Sequence, residues 1–222
     1  RPAATPNHVR WNAAPPTAGQ PVFLSGSPGA TQRLLTQAQL ETVEEVVLSL
    51  QQLIWSELRG RLIQFMSESE ENRFIGGQTL YGVENSYKRG VGRMQALIDE
   101  RFMAAREAAE QDFQTRLAGD RALSAETGNP WSELAAVQPE ARRLYPAYYM
   151  LESRAGGGSQ LFNWANHLVR AAQEREKPNA ERLPEYGDAR LRTVELQVLA
   201  ERPTYASLNE VQLAWWLSKL RE

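Results

Sequence analysis

The sequence contains no cysteine and only two histidines, His8 and His167. Without cysteine there can be no disulfide, no thiolate metal ligand and no cysteine nucleophile. His167 lies in the helical pattern LFNWANHLVRAA, where a lone histidine is more often a structural or surface residue than a base. The chain also has no HExxH motif, no P-loop and no Gly-x-Ser-x-Gly elbow. We therefore predict no metal site, no cofactor and no catalytic residue within this chain.

Long apolar runs and a strong excess of one charge are missing as well. No apolar run approaches the roughly 20 residues of a membrane span, and no signal peptide is recognisable. The formal net charge is −2, which argues against a nucleic-acid binder because such proteins concentrate positive charge on one face. The chain begins RPAATPNHVRWN without an initiator Met and stops on the helical pattern WWLSKLRE. We expect it to be a piece of a longer protein.

A helical pattern fills most of the chain. Hydrophobic residues make up 42% of it, enough for a folded core. The first long helix carries apolar residues at the helical period of three or four positions, namely Leu40, Val43, Val47, Leu50, Ile54, Leu58, Leu62 and Phe65. We predict an all-α domain of five to seven helices over residues 32–222, with two long antiparallel helices. Residues 1–31 are predicted to be extended, with a short strand at 22–25 and a turn at GSPG, residues 26–29.

Capping and breaking residues indicate where the helices end. Thr36 with Gln39 forms a weak capping box, and Ser207 with Glu210 forms a better one. The polar run SESEEN is expected to end or bend the first long helix, and one second helical stretch is predicted from about Glu70 to Leu117. The later helices are expected to begin at Asn129-Pro130, with interruptions at Pro139 and Pro146, and to cover residues 162–175, 190–200 and 207–221, with a flexible turn at RAGGGSQ.

One polar cluster lies on the second helical stretch, in the segment YGVENSYKRG. It places Tyr81, Asn85 and Lys88 along about two helical turns. Asn is a mediocre helix former, and the glycines at 82 and 92 could open space beside Asn85. Two interpretations follow from the residues alone. Either the amide hydrogen-bonds a neighbouring helix or water, or it belongs to a binding site.

Three segments of the chain resemble a known peptidase family: PVFLSGSPGATQRLLTQAQLE, YGVENSYKRGVGRM and EKPNAERLPEYGDARL. They are similar to the bacterial dipeptidyl peptidases that combine a chymotrypsin-like fold with an inserted helical domain, serine peptidase family forty-six. The resemblance extends from about Trp11 to the end of the chain. Its most specific part is a turn with the residues Gly26, Pro28, Gly29 and Thr31, followed by Arg33 and Leu34.

The resemblance implies a double β-barrel with a Ser-His-Asp triad outside this chain, and a helical insertion that caps the active-site cleft. Residues 21–31 would be the last barrel strand and its exit turn, which explains an isolated strand before an all-helical domain. The resemblance further implies that the enzyme removes dipeptides from free N-termini. Asn85 would accept a hydrogen bond from the α-ammonium of the substrate, with Tyr81 and Lys88 as weaker neighbours.

Partners and location also follow from the resemblance. It implies peptide substrates, the remainder of the barrel, a second copy in a homodimer and a periplasmic or secreted location in a bacterium, with neither a cofactor nor nucleic acid. Two alternatives are a non-enzymatic helical interaction module and a degenerate, inactive relative. Asn85 among its glycines favours the peptidase over the interaction module, because such a module has no need of a lone amide in a glycine-opened helix.

Overall fold

The computed structural model describes Ala4, Pro6, Asn7, residues 13–23, Gln32 and residues 34–221. The chain groups into two compact units, Arg1–Leu34 and Leu35–Glu222. The division predicted from the sequence, after residue 31, stays a prediction.

A turn in the first unit spans Thr17 to Gln20. The backbone N–H of Gln20 donates to the carbonyl oxygen of Thr17 at 3.1 Å, and the Thr17 N–H donates to Oε1 of Gln20 at 3.1 Å. The predicted strand is not confirmed, because Val22 and Phe23 are exposed and have no strand geometry. Residues 24–31, which include the predicted GSPG turn, lie outside the described residues.

The second unit confirms the prediction of an all-α domain, and the described part of the chain contains no strand. Its α-helices are α1 (Gln37–Thr42), α2 (Ser49–Ser67), α3 (Glu70–Leu97), α4 (Glu100–Gly119), α5 (Arg121–Thr127), α6 (Pro130–Tyr148), α7 (Gln160–Arg175), α8 (Asp188–Val198) and α9 (Ala206–Arg221). The other elements are two π-helical segments, Val43–Leu48 and Tyr149–Ser153, and three 3₁₀ turns, Ala155–Gly158, Asn179–Glu181 and Pro184–Tyr186. None of the described helices combines the length and the apolarity needed to cross a membrane.

Helix α1 begins at the predicted capping box. The Gln39 N–H donates to Oγ1 of Thr36 at 3.3 Å, and the Thr36 N–H donates to Oε1 of Gln39 at 3.0 Å. The π-helical segment that follows corrects the predicted core face, since Leu48 is fully buried where Val47 was expected. A π-helical turn holds more residues than an α-helical turn. The inward position therefore falls one residue later in the sequence.

Helices α2 and α3 form the two long antiparallel arms that the sequence predicts. The polar run ends α2 at Ser67, and Ser69 caps α3 by accepting a hydrogen bond from the Asn72 N–H at 3.0 Å. Two glycines of α3 lie against α2: Gly76 beside Met66, and Gly90 beside Gln52. From Gly76 to Gly90 along α3, the facing residue moves back along α2 from Met66 to Gln52. The two helices therefore run in opposite directions. At both glycines a Cβ would meet the facing side chain.

The second helical stretch consists of two helices rather than one, which corrects the prediction of a single stretch from about Glu70 to Leu117. Helix α3 ends at Leu97, and α4 begins after Asp99. The Asp99 carboxylate accepts a hydrogen bond from the Phe102 N–H at 3.0 Å and so caps α4. Asp is among the preferred N-cap residues, and here the cap outweighs the continuous helical pattern.

The later helices also differ from the prediction at two places. Helix α6 continues through Pro139 and Pro146 to Tyr148, although each proline lacks the N–H that a helix interior uses. The helix packs against α1 and the first π-helical segment, where Arg142 donates to Oγ1 of Thr42 at 2.9 Å and reaches the Glu45 carboxylate at 2.8 Å. The capping box predicted at Ser207 is wrong, since α9 begins at Ala206 and includes Ser207.

The core is an aromatic and aliphatic cluster between α2, α3, the second π-helical segment and α9. Its buried members are Ile54, Trp55, Leu58, Leu62, Val83, Tyr149, Met150, Trp215 and Trp216. The Nε1–H of Trp216 donates to the Met150 carbonyl oxygen at 2.8 Å. A smaller cluster of Leu40, Leu48 and Leu97 lies where α1 meets the end of α3.

The predicted glycine turn is packed between α7 and α9. Gly156, Gly157 and Gly158 all have positive φ, and the first two are buried. Next to them, the fully buried Ser159 caps α7 by accepting from the Phe162 N–H at 3.2 Å, and it donates to Oδ1 of Asn209 at 2.7 Å. The turn thus connects the start of α7 to the face of α9.

A buried carboxylate organises the connection from α7 to α8. Glu174 accepts hydrogen bonds from Nζ of Lys177 at 2.6 Å and from the Leu183 N–H at 2.7 Å. These donors hold the pKa of Glu174 below its ordinary value, the Lys177 hydrogen bond being the largest cause. Asn179 adds a further link, since its Oδ1 accepts from the Asp188 N–H at 2.9 Å. The segment EKPNAERLPEYGD therefore forms a defined bend.

Candidate functional site

Tyr81, Asn85 and Lys88 lie along one exposed face of α3. The spacing of four and three residues brings them to the same side of the helix, and all three are exposed, Tyr81 with 72% of its surface accessible. The Asn85 side chain has no hydrogen-bond partner among the described residues. Of the two interpretations of this amide, hydrogen bonding to a neighbouring helix does not occur in the described part of the chain.

The residues next to Asn85 fix this part of α3 on α2. Val83 is buried in the core and Tyr87 packs against it. Glu84 forms an ion pair with Arg59 of α2 and a second one with Lys88, at 3.4 Å. These partners lower the pKa of Glu84, and the Arg59 hydrogen bond is the largest cause. The contacts of Val83 and Glu84 before Asn85, and of Tyr87 after it, therefore fix the orientation of α3 about its own axis, and Asn85 projects from its outer side.

The flanking glycines leave the Asn85 face open. A Cβ added at Gly82 or at Gly92 would meet no atom within 4 Å, and both residues are exposed. In contrast, Gly90 faces α2 and is buried. The helix face beside Asn85 is therefore open on its outer side, and a side chain at Gly82 or Gly92 would also fit there.

His167 takes no part in this face. His167 lies on α7, and its Nδ1 is 3.0 Å from the Tyr186 hydroxyl, so a structural partner accounts for it. It borders a cavity of about 180 Å³ between α7 and α8. His8 lies outside the described residues. Within the described ranges, no group of three or more His, Asp or Glu side chains is arranged to hold a metal ion.

A group of aromatic and polar side chains, which the sequence did not indicate, links α2 to α6 and to residues 149–154. The Tyr145 and Tyr149 rings stack with their centroids 5.6 Å apart. The guanidinium carbon of Arg154 lies 4.4 Å from the centroid of the Trp55 ring, and the Tyr145 hydroxyl accepts from Nε2 of Gln51 at 2.7 Å. The α2 residues come at least 90 positions before the others, so only a prediction of which helices pack together could have found this group.

Comparison with protein families matches residues 1–222 to the family described as Peptidase S46. The match spans the whole chain, and the chain belongs to the peptidase S46 family. Peptide hydrolysis is the activity class of the family, and peptides are its substrates. The resemblance stated from the three sequence segments is confirmed. Comparison with curated proteins and with solved structures gave no match.

Proposed function

We propose that this chain is the helical cap of a serine dipeptidyl peptidase, which removes dipeptides from free peptide N-termini. The cap binds the N-terminus of the substrate through Asn85 and closes over the cleft, and the catalytic triad lies on a β-barrel outside this chain. One observation carries the proposal. In a chain of the peptidase S46 family, the Asn85 amide is exposed, without a partner among the described residues, on a helix fixed from both sides.

An amide oxygen suits the α-ammonium of a peptide. The reference pKa of that group is about 8, so a large part of it is cationic at neutral pH. The Oδ1 of Asn85 can accept one of its three hydrogen bonds without a second full charge that would have to be desolvated. The remaining donors of the ammonium would bind groups on the barrel. An amine held in this way lies at a fixed distance from the nucleophile, which presents the second peptide bond for cleavage.

The two neighbours of Asn85 contribute less. Lys88 has the same charge as the ammonium, and its charge is partly balanced by Glu84 at 3.4 Å. Tyr81 adds an exposed aromatic surface one turn before Asn85, against which an apolar substrate side chain can pack. The proposal also includes a homodimer and a periplasmic or secreted location.

An alternative function is a non-enzymatic interaction module, and a surface feature of α6 favours it. Helix α6 and the π-helical segment after it expose an apolar stripe at the spacing of a coiled-coil seam, formed by Leu134, Val137, Leu144, Tyr148 and Leu151. A partner helix could pack along such a stripe. An inactive relative of the family would have the same surface. A measurement of peptidase activity therefore distinguishes the proposed peptidase from both alternatives.

The test compares one oligopeptide in free and N-acetylated form, incubated with the full-length protein and followed by mass spectrometry. We expect dipeptides from the free form only. A hydrogen bond to a charged group contributes about 1.5–3 kcal/mol. Asn85→Ala is therefore expected to lower kcat/KM about 10- to 150-fold. Asn163→Ala, which removes an exposed Asn from α7, is the matched control and should have no effect.

Each outcome decides between the functions. Release from the free form with no loss in Asn85→Ala would keep the peptidase and remove Asn85 from its binding site. Release from both forms would contradict recognition of a free N-terminus. If a folded protein cleaves neither form, the interaction module or an inactive relative is the correct description.

A further inference from the structure

A groove of about 350 Å³ lies between α2 and α3, on the part of α3 that follows Asn85. Its apolar lining consists of Leu53 from α2 together with Val91, Met94 and Ile98. Leu53 and Ile98 are more than half exposed, so this lining is open to a ligand. None of the described residues that line the groove carries a charge. Ligand sites of proteins are of this size and are mostly apolar, with a few polar groups that fix the orientation of the ligand.

The side-chain amide of Gln52 is a buried polar group at this groove. Neither its Nε2 nor its Oε1 has a hydrogen-bond partner among the described residues. The amide lies against Gly90, where an added Cβ would overlap Nε2. Buried polar groups are nearly always paired, and an unpaired one costs stability. Rotation about the side-chain bonds of Gln52 would turn the amide from Gly90 into the groove, where a ligand can pair with it.

A peptide group is the ligand chemistry that fits this amide and this lining. The Gln52 amide has two N–H donors and a carbonyl acceptor, so it can donate to the C=O of a peptide group and accept from its N–H. The apolar lining can bury the side chain of the same residue. A chain terminus or a charged side chain would lose its hydration in an uncharged groove without gaining an ionic partner. The groove therefore favours an apolar residue in the interior of a peptide.

We propose that this groove binds an apolar side chain at the fifth residue of the peptide substrate, and that Gln52 hydrogen-bonds the peptide backbone beside it. This binding mode rests on the proposed function, in which Asn85 holds the α-ammonium of the first residue. Val91 follows Asn85 by six residues, which is a rise of about 9 Å and a turn of about 120° around α3. On a helix about 11 Å wide, the two positions are then about 13 Å apart. An extended peptide covers that distance in four steps of about 3.3–3.6 Å, so its fifth residue reaches the groove.

Lys88 lies halfway between Asn85 and Val91 on the surface of α3, three residues from each. Its side chain is exposed, and its ammonium pairs with Glu84 at 3.4 Å. An ammonium has three donors, so Lys88 keeps donors for the carbonyl groups of a peptide that passes over it. The residues between the cut and the groove would therefore bind through their backbone, and the fifth residue through its side chain.

The test uses the full-length protein and two pairs of otherwise identical eight-residue peptides. In the first pair the fifth residue is Leu or Asn, and in the second pair the eighth residue is Leu or Asn. We expect kcat/KM to be about tenfold higher for Leu than for Asn at the fifth residue, and equal for the two at the eighth. Leu53→Asn should reduce the fifth-residue ratio to near one. Ile63→Asn is the matched control and should keep the ratio, because Ile63 is also an exposed α2 residue, 42% against 54% for Leu53, and is not part of the groove lining.

Gln52→Leu tests the pairing of the amide with the peptide backbone. It should raise KM for the peptide with Leu at the fifth residue about tenfold. The value of kcat should stay unchanged, because a contact that is equally strong in the ground state and the transition state affects only KM.

The outcomes separate this inference from the proposed function. Dipeptide release with equal kcat/KM for Leu and Asn at the fifth residue would overturn the inference and leave the function intact. A preference that survives Leu53→Asn, one that is also lost in Ile63→Asn, or an unchanged KM in Gln52→Leu would overturn it as well. Release from none of the four peptides would overturn the proposed function and, with it, the inference.

Discussion

Replacing Gly157 with alanine tests whether the packed glycine turn depends on the absence of a side chain. Gly157 has a φ of +65°, a conformation that costs an L-residue about 1 kcal/mol. A Cβ there would lie 2.5 Å from the Gln212 carbonyl oxygen and 3.1 Å from atoms of Trp215 and Trp216. The first of these is α9 backbone and cannot rotate away. Overpacking of this kind costs about 1–3 kcal/mol.

The two terms together lower the free energy of unfolding by about 2–4 kcal/mol, a large part of the stability of an ordinary domain. For a chain of this length, about 1 kcal/mol shifts Tm by about 2–4 °C. We therefore expect Gly157→Ala to lower Tm by roughly 5–15 °C, measured by circular dichroism or calorimetry. Gly77→Ala is the control, since a Cβ at Gly77 meets nothing within 4 Å in α3 and should raise stability by up to about 1 kcal/mol. A Gly157→Ala protein as stable as the unmodified one would refute the reasoning.

Three further changes have defined outcomes. Glu174→Gln should lower Tm at neutral pH, because the pKa of Glu174 is lowered in the folded state. The stabilisation by the carboxylate is present above its unfolded-state pKa of about 4.3 and is lost as pH falls through its folded-state pKa. The variant should therefore lose less stability than the unmodified protein on acidification, and an equal loss would contradict this. Gly90→Ala should change the free energy of unfolding by less than about 1 kcal/mol. The added Cβ displaces only the end of the Gln52 side chain, whose amide has no partner in the described part of the chain. A loss above about 2 kcal/mol in urea denaturation would contradict this prediction. Trp216→Phe leaves the Met150 carbonyl oxygen without its donor and should cost about 2–4 kcal/mol in the same assay, and a cost near zero would show that the hydrogen bond is not needed.

Apolar periodicity predicted the long helices correctly because their buried faces follow the α-helical repeat. Residues Ile54, Leu58, Leu62 and Phe65 were predicted to face the core, and all four are buried. The prediction failed by one residue at Leu48, since a π-helical turn leaves no mark in a pattern of apolar residues. It failed again at Asp99, where one capping carboxylate ends a pattern that otherwise continues.

The candidate site was predictable in part. Asn85 stands out as a weak helix former, and the apolar residues at 83 and 87 already assign it to the opposite, exposed side of α3. The contact between Arg154 and Trp55 was not predictable, because the two residues are about 100 positions apart in different elements. Sequence patterns describe the faces of single helices well, but contacts between helices depend on how the helices pack.

The π-helical segment Val43–Leu48 has a consequence for how the length of this chain can vary. Its six residues determine the phase, which is the angle about the helix axis between Leu40 and Ile54. Leu40 belongs to the small core cluster and Ile54 to the large one. A π-helical turn holds about one residue more than an α-helical turn, so removal of one residue from the segment would convert it to α-helix and nearly preserve this phase. Removal of one residue from the α-helix on either side would instead rotate one cluster relative to the other by about 100°. Alignments of related chains should therefore show single-residue gaps in this segment and none in the adjoining helices.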